Sequence, residues 1–323
     1  MKIFYCDHFV LPLPDGHRFP MQKYAELRRR VAVDPATPTG ALTVPDAATD
    51  EELRRVHTRD WVARVAGGSL SPEEVRKIGF PWSPGLVERS RRSVGGTIGA
   101  ARAAISGDGV SVNLAGGTHH AFADRGEGFC VFNDVAVAIR GLQAEGRIRT
   151  ALVADLDVHQ GNGTAAIFGN DPDVFTLSVH GAGNYPFRKE ASDLDVELPD
   201  GTGDDAYLSA ARDAMDLALE RSRPDLVFFL AGADPHEHDR LGRLALTFEG
   251  LRARDALVLG AAARAGVPVA VVMSGGYGTR LADTVTVHQN TVRAALSLAR
   301  DGVPNGPPTP ESPREVAPAD PEP

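Results

Sequence analysis

The stretch ALVADLDVHQGNG, residues 151–163, opens on four apolar residues and closes on a crowd of polar ones. ALVA is too short for a helix and apolar at consecutive positions, which is how a strand buried on both faces reads. Side chains alternate along a strand, so Asp155, Asp157 and His159 at i, i+2 and i+4 are expected to point the same way. Two carboxylates buried that closely are costly unless a cation or hydrogen-bond donors compensate. A solvated strand end would explain a lone DxD. A histidine in phase and the Gly-rich turn after it favour a metal site.

The pattern recurs along the chain. VSVNLA (110–115) runs into GGTHH, VFTLSV (174–179) into His180, LVFFL (226–230) into AGAD, and VPVAVVM (267–273) into SGGYG. Helical periodicities lie between these runs, over 84–105, 134–145, 204–221, 249–265 and 286–300. Asn133 or Asp134 is placed to cap the second, and Asp204 and Asp205 the third. Strand alternating with helix implies an α/β fold, a mainly parallel sheet covered on both faces. In such sheets the ligand site lies beyond the carboxyl ends of the strands, where every one of these polar clusters sits. The first 80 residues are less regular, with Pro- and Gly-rich loops around 11–20 and 34–50. Residues 1–301 read as one domain, and the Pro-rich, acidic 302–323 as a disordered tail.

Each cluster has an ordinary reading and a chemical one. An Asp ending a strand, as Asp234 does in AGAD, is commonly a cap or turn residue. Its place at the same end of the same sheet makes Asp157, His159 and Asp234 a three-ligand set with open positions, as catalytic zinc requires. Two carboxylates and a neutral imidazole cancel the ion's charge, so the attacking water needs a nearby base. His119 and His120 of GGTHH, a surface pair if read alone, supply that base. Tyr277 of SGGYG can donate to the oxyanion formed on a carbonyl. Phe129 and Tyr185 are core aromatics or walls of an alkyl channel.

The whole composition narrows the classes. The 323 residues are 42% hydrophobic and 24% charged, ordinary for a globular protein, with formal net charge -9. That charge argues against direct nucleic-acid binding, which needs a basic face. Two cysteines, Cys6 and Cys130, make neither a disulfide framework nor a Cys-rich zinc site. No run approaches the about 18 apolar residues of a membrane span, and no signal-peptide core opens the chain, so a cytoplasmic protein is expected. GxGxxG opening a helix, GxxxxGK and GxSxG are all absent.

Taken in order, HRFPMQKY (17–24), GGTHH, GEGFCVFND, DLDVHQGNG, AGAD with DRLGRLALT (239–247), and SGGYG resemble the zinc-dependent histone deacetylase family. The likeness runs from about residue 5 to 300, and DLDVHQGNG with DRGEGFC (124–130) looks most like the class IV branch and bacterial relatives. It implies an arginase-like three-layer αβα fold around about eight mainly parallel strands. It implies one Zn2+ per chain on Asp157, His159 and Asp234, with His119 and His120 as the tandem catalytic histidines. Asp155 matches the partner of His119, and its neighbourhood implies a monovalent cation such as K+. Tyr277 matches the residue that polarises the acyl carbonyl, while Gly128, Phe129 and Tyr185 match the channel. Asn162 stands where class I members carry an Asp beside the second histidine, which should lower the His120 pKa. The substrate class so implied is an acylated amine, foremost N6-acyl-lysine of a protein or peptide. Acetylpolyamines are the alternative, and a non-catalytic acyl-lysine binder or a dimanganese arginase-like hydrolase the rivals. Oligomeric state is left open.

Overall fold

The computed structural model describes residues 1–301 except 15 and 108. The tail expected over 302–323 lies outside the described residues. In chain order the first elements are β1 (Ile3–Phe4), α1 (Gln22–Ala32), β2 (Leu42–Thr43), α2 (Asp50–Leu53), α3 (Arg59–Gly67) and α4 (Pro72–Ile78). There follow α5 (Pro84–Ser106), β3 (Val110–Asn113), α6 (Asp134–Ala144), β4 (Ala151–Asp155), α7 (Asn162–Phe168) and β5 (Val174–Gly181). The chain continues through β6 (Leu194–Leu198), α8 (Asp204–Ser222), β7 (Leu226–Leu230), α9 (Phe248–Arg264), β8 (Val269–Val272) and α10 (Leu281–Asp301).

The strands form one eight-stranded sheet, β2-β1-β3-β8-β7-β4-β5-β6, with every neighbouring pair parallel. Alternation of side chains explains the uninterrupted apolar runs. Val227, Phe229 and Val271 join one core with Tyr207 and Met215 of α8 and Val258 of α9. Leu226, Phe228 and Val272 join the other with Val94 and Ile98 of α5 and Val135 of α6. Each strand therefore needs apolar residues at successive positions, and the layers are helix, sheet, helix. The expected fold is the one observed.

Three local readings change. β4 stops at Asp155 and residues 157–159 bend, so Asp157 and His159 are not aligned by a pleat. Asp204 and Asp205 lie in the first turn of α8, behind Gly203 as N-cap; the Asp204 carboxylate instead accepts from the Thr247 N–H and hydroxyl. The first 80 residues carry four helices, α1 to α4, of which α2 and α4 open on complete capping boxes.

Candidate active site

β3, β8, β7 and β4 are adjacent at the centre of the sheet, and their carboxyl ends deliver GGTHH, SGGYG, AGAD and DLDVH to one place. Beyond β4 the backbone is shaped by its own carboxylates. Asp155 Oδ1 accepts from the Asp157 N–H (3.2 Å), and Asp157 Oδ1 accepts from the His159 N–H (2.9 Å). These two successive Asx turns replace the pleat and fold the candidate ligands inward.

Asp157, His159 and Asp234 are buried and offer ligand atoms that lie within 4.8 Å of one another. His159 Nδ1 is 3.0 Å from Asp157 Oδ1 and 3.2 Å from Asp234 Oδ2. Asp157 Oδ2 accepts from the Ser274 hydroxyl and the Gly275 N–H, each at 2.7 Å. Asp234 Oδ1 accepts from the Val158 N–H, whereas its Oδ2 is buried with no hydrogen-bond partner. A buried carboxylate oxygen aimed at a histidine and a second carboxylate is what a cation would satisfy. The cradle is also tight: a Cβ on Gly275 would overlap the Asp234 carboxylate, so only glycine fits there. The crowding of these groups also shows in their electrostatics. Burial and Asp157 together push Asp234 up to about 7. Against its own burial, His159 is raised to about 10 by Asp157 and Asp234. The three residues fit a divalent ion with N and O ligands.

The tandem histidines lie alongside, rings 4.1 Å apart and both buried. His119 Nδ1 donates to Asp155 Oδ2 at 2.6 Å. Burial opposes charge on His119, but Asp155 and Asp157 outweigh it and raise the ring to about 9. His120 Nδ1 meets the Asn162 Oδ1 at 2.7 Å. Burial first, then His119 and His159, hold His120 well below the ordinary imidazole value. The two rings are thus pushed in opposite directions, the kind of separation that acid–base chemistry uses. Tyr277 is kept firmly protonated by burial and by Asp234 and Asp157.

A pocket of about 360 Å³ is lined by His120, His159 and Tyr277 at its floor and by Gly128, Phe129 and Tyr185 on its walls. Gly128 has φ +53°, and a Cβ there would come 2.6 Å from His120 Cδ2, so glycine lets the wall approach the ring. The Tyr185 ring is 5.0 Å from His120, and its hydroxyl donates to Glu127. Every site residue expected from the sequence therefore belongs to one neighbourhood, with Asp155 and Asn162 directly behind the histidines.

Other contributors escaped the sequence reading. Asp134, read only as a capping candidate, accepts from the Thr97 and Thr118 hydroxyls and from the Gly117 and Thr118 N–H groups, fixing GGTHH. Asn133 is the residue that caps α6. Lys23 is buried, and its Nζ donates to the Ser274 and Gly276 carbonyls on either side of the glycine that precedes Tyr277's own neighbour. Asp239 accepts from the Tyr277 N–H at 2.6 Å. Lys23 and Asp239 lie in the quoted motifs HRFPMQKY and DRLGRLALT, but spacing alone does not say that they reach across the chain.

The parallel three-layer fold brings a buried Asp-His-Asp set that could hold a divalent ion, tandem histidines and a tyrosine to one pocket, a set of groups suited to hydrolysis. Residues 17–292 match the family described as Histone deacetylase domain. The chain is 34% identical over 287 residues to a histone deacetylase-like amidohydrolase of Pseudomonas aeruginosa, covering 82% of this chain and 74% of that one. It is 32% identical over 271 residues to histone deacetylase 2 of Arabidopsis thaliana, covering 81% and 70%. An uncharacterized protein of Picosynechococcus sp. is 44% identical over 296 residues, covering 92% and 98%. The crystal structure of the HDA15 HD domain superposes with TM-score 0.76 at 22% identity, covering 93% and 92%, and shows the same fold. The chain belongs to the histone deacetylase family. No helix among the described residues is long and apolar enough to cross a membrane.

Proposed function

We propose that the chain is a zinc-dependent deacylase that hydrolyses the amide of an acylated amine, foremost N6-acyl-lysine of a protein or peptide. The observation that carries this reading is the convergence of Asp157, His159 and Asp234 with His120 and Tyr277 at the floor of one pocket. Zinc held by those three residues would act as a Lewis acid on the acyl carbonyl and acidify water. His120, neutral and with Nδ1 committed to Asn162, presents Nε2 to take the proton of the attacking water. Tyr277 donates its hydroxyl hydrogen to the developing oxyanion. His119 stays charged against Asp155 and stabilises the negative charge that accumulates. As the tetrahedral intermediate collapses, His120 returns its proton to the leaving amine. Phe129 and Tyr185 flank the apolar stem of the substrate and exclude water.

A binder without catalysis would be expected to lack one of these groups, and none is missing. A dimanganese site calls for further carboxylates bridging two ions. The other ligand-like group among the described residues, His236, Glu237 and His238, has two exposed members. A K+ ion beside Asp155 belongs to the same proposal, and dependence of turnover on K+ checks it. The test of the reading is a panel of lysine peptides bearing acyl groups from acetyl to myristoyl, run beside acetylspermidine on the zinc-loaded protein. Turnover of an acylated lysine is expected. Uniformly negligible turnover would overturn the assignment.

A further inference from the structure

The opening of the pocket has a charge opposite to that of the chain. Arg18, Lys77 and Arg243 line it, and no Asp or Glu does among the described residues, although the formal net charge is -9. The three cations come from separated segments: Arg18 precedes α1, Lys77 is in the last turn of α4, and Arg243 lies between β7 and α9. Lys77 pairs with Glu73 at 3.1 Å and Arg243 with Asp200 at 3.2 Å. All four of these side chains are about half exposed or more, so the pairs are weak and easily exchanged. The nearby Glu127 faces the pocket wall from behind and is already engaged by the Tyr185 hydroxyl and Arg125.

Arg18 differs from the other two. Its guanidinium is exposed and makes no hydrogen bond or ion pair among the described residues, whereas its carbonyl and the side chains on either side of it are held. The Arg18 carbonyl accepts from Arg240 Nη2 at 3.2 Å. On one side His17 Nε2 meets the Gly79 carbonyl at 2.9 Å. On the other, Phe19 is buried with its ring 5.2 Å from Phe129 of the channel wall. A fixed base under a free five-donor fork is the arrangement that recognises a carboxylate. Phe187, 84% exposed at the same mouth, adds an apolar contact for whatever flanks the acylated amine.

We infer that Arg18, with Lys77 and Arg243, selects substrates that carry a carboxylate close to the acylated amine. This rests on the deacylase reading and names its substrate class: an acyl-lysine with an acidic flank or a free α-carboxylate, rather than a polycationic amine. A polyamine would bring its remaining charges against this rim.

The test measures kcat/KM of the zinc-loaded full-length enzyme on peptides bearing its best acyl group at lysine, flanked by Asp, Asn or Lys. A further pair ends on the acylated lysine as acid or amide. The acidic member of one series is expected to lead its basic or amide counterpart by about tenfold at low ionic strength, shrinking in high salt. The series that shows the gain identifies the source of the carboxylate. Arg18→Ala should compress that ratio and Arg18→Glu reverse it, mainly through KM. Equal kcat/KM across both series, or a ratio indifferent to Arg18→Glu, overturns the inference while leaving the deacylase intact. Absence of turnover on every peptide overturns the deacylase reading, and this inference with it.

Discussion

His120 can accept a proton only as a neutral ring, and its surroundings keep it neutral. Burial, His119 and His159 depress its pKa, and Asn162 supplies a neutral acceptor where a carboxylate would have favoured imidazolium. The acid limb of kcat/KM therefore falls well below the ordinary histidine range. Asn162→Asp should move that limb to higher pH by about one unit, since a carboxylate stabilises the charged ring; an unmoved profile would separate the limb from His120. His120→Ala and Tyr277→Phe should each lower turnover by orders of magnitude while zinc binding stays nearly intact, and full activity in either would remove that residue from the mechanism. His57 offers a stability counterpart. Nδ1 donates to the Phe122 carbonyl and Nε2 accepts from the Asn133 N–H, so the ring is locked neutral and lowered to about 4 by burial. Because the unfolded ring takes a proton near pH 6.5 and the folded one only near 4, stability drops as pH falls through that window, by about 3 kcal/mol. Melting curves of the wild type and His57→Gln should diverge in slope over that range. Among single residues, the clustering of Asp157, His159 and Asp234 with the tandem histidines was legible because few chemistries bring such side chains together. His57, Lys23 and Asp239 were not, since each acts on a backbone group far away in sequence.

At the scale of elements, the five central strands were readable because burial on both faces demands unbroken apolar runs. β1 and β2 have two residues each and β6 is partly exposed, so neither leaves such a run. The geometry of DLDVH was misread for a related reason. Apolar alternation predicts a pleat beyond Asp155, whereas side-chain acceptors bend the backbone there. The loop after β3 shows how strongly one side chain can organise a site: Asp134 gathers four donors and also keeps Gly117, at φ +77°, close against Ser274. Asp134→Ala would leave buried donors unpaired and should cost about 3–5 kcal/mol in urea unfolding, with loss of activity. A change below about 1 kcal/mol would mean that the loop holds itself.

Across the whole molecule, eight parallel strands bring four loops from distant parts of the sequence to one floor, and the helices bury both faces of the sheet that carries it. On the proposed mechanism Asp157, His159 and Asp234 act together with His120 and Tyr277, whose protonation states the same burial pushes toward neutral. A metal that binds the folded chain and not the unfolded one raises its melting temperature, so chelation should lower it and zinc restore it. The most direct measurement titrates metal-free protein with zinc while following acyl release from an acyl-lysine peptide. Turnover is predicted to rise in proportion to added metal and level off at about one ion per chain, with Asp234→Asn showing neither uptake nor turnover. Full turnover without metal, or a requirement for two manganese ions per chain, would contradict the account.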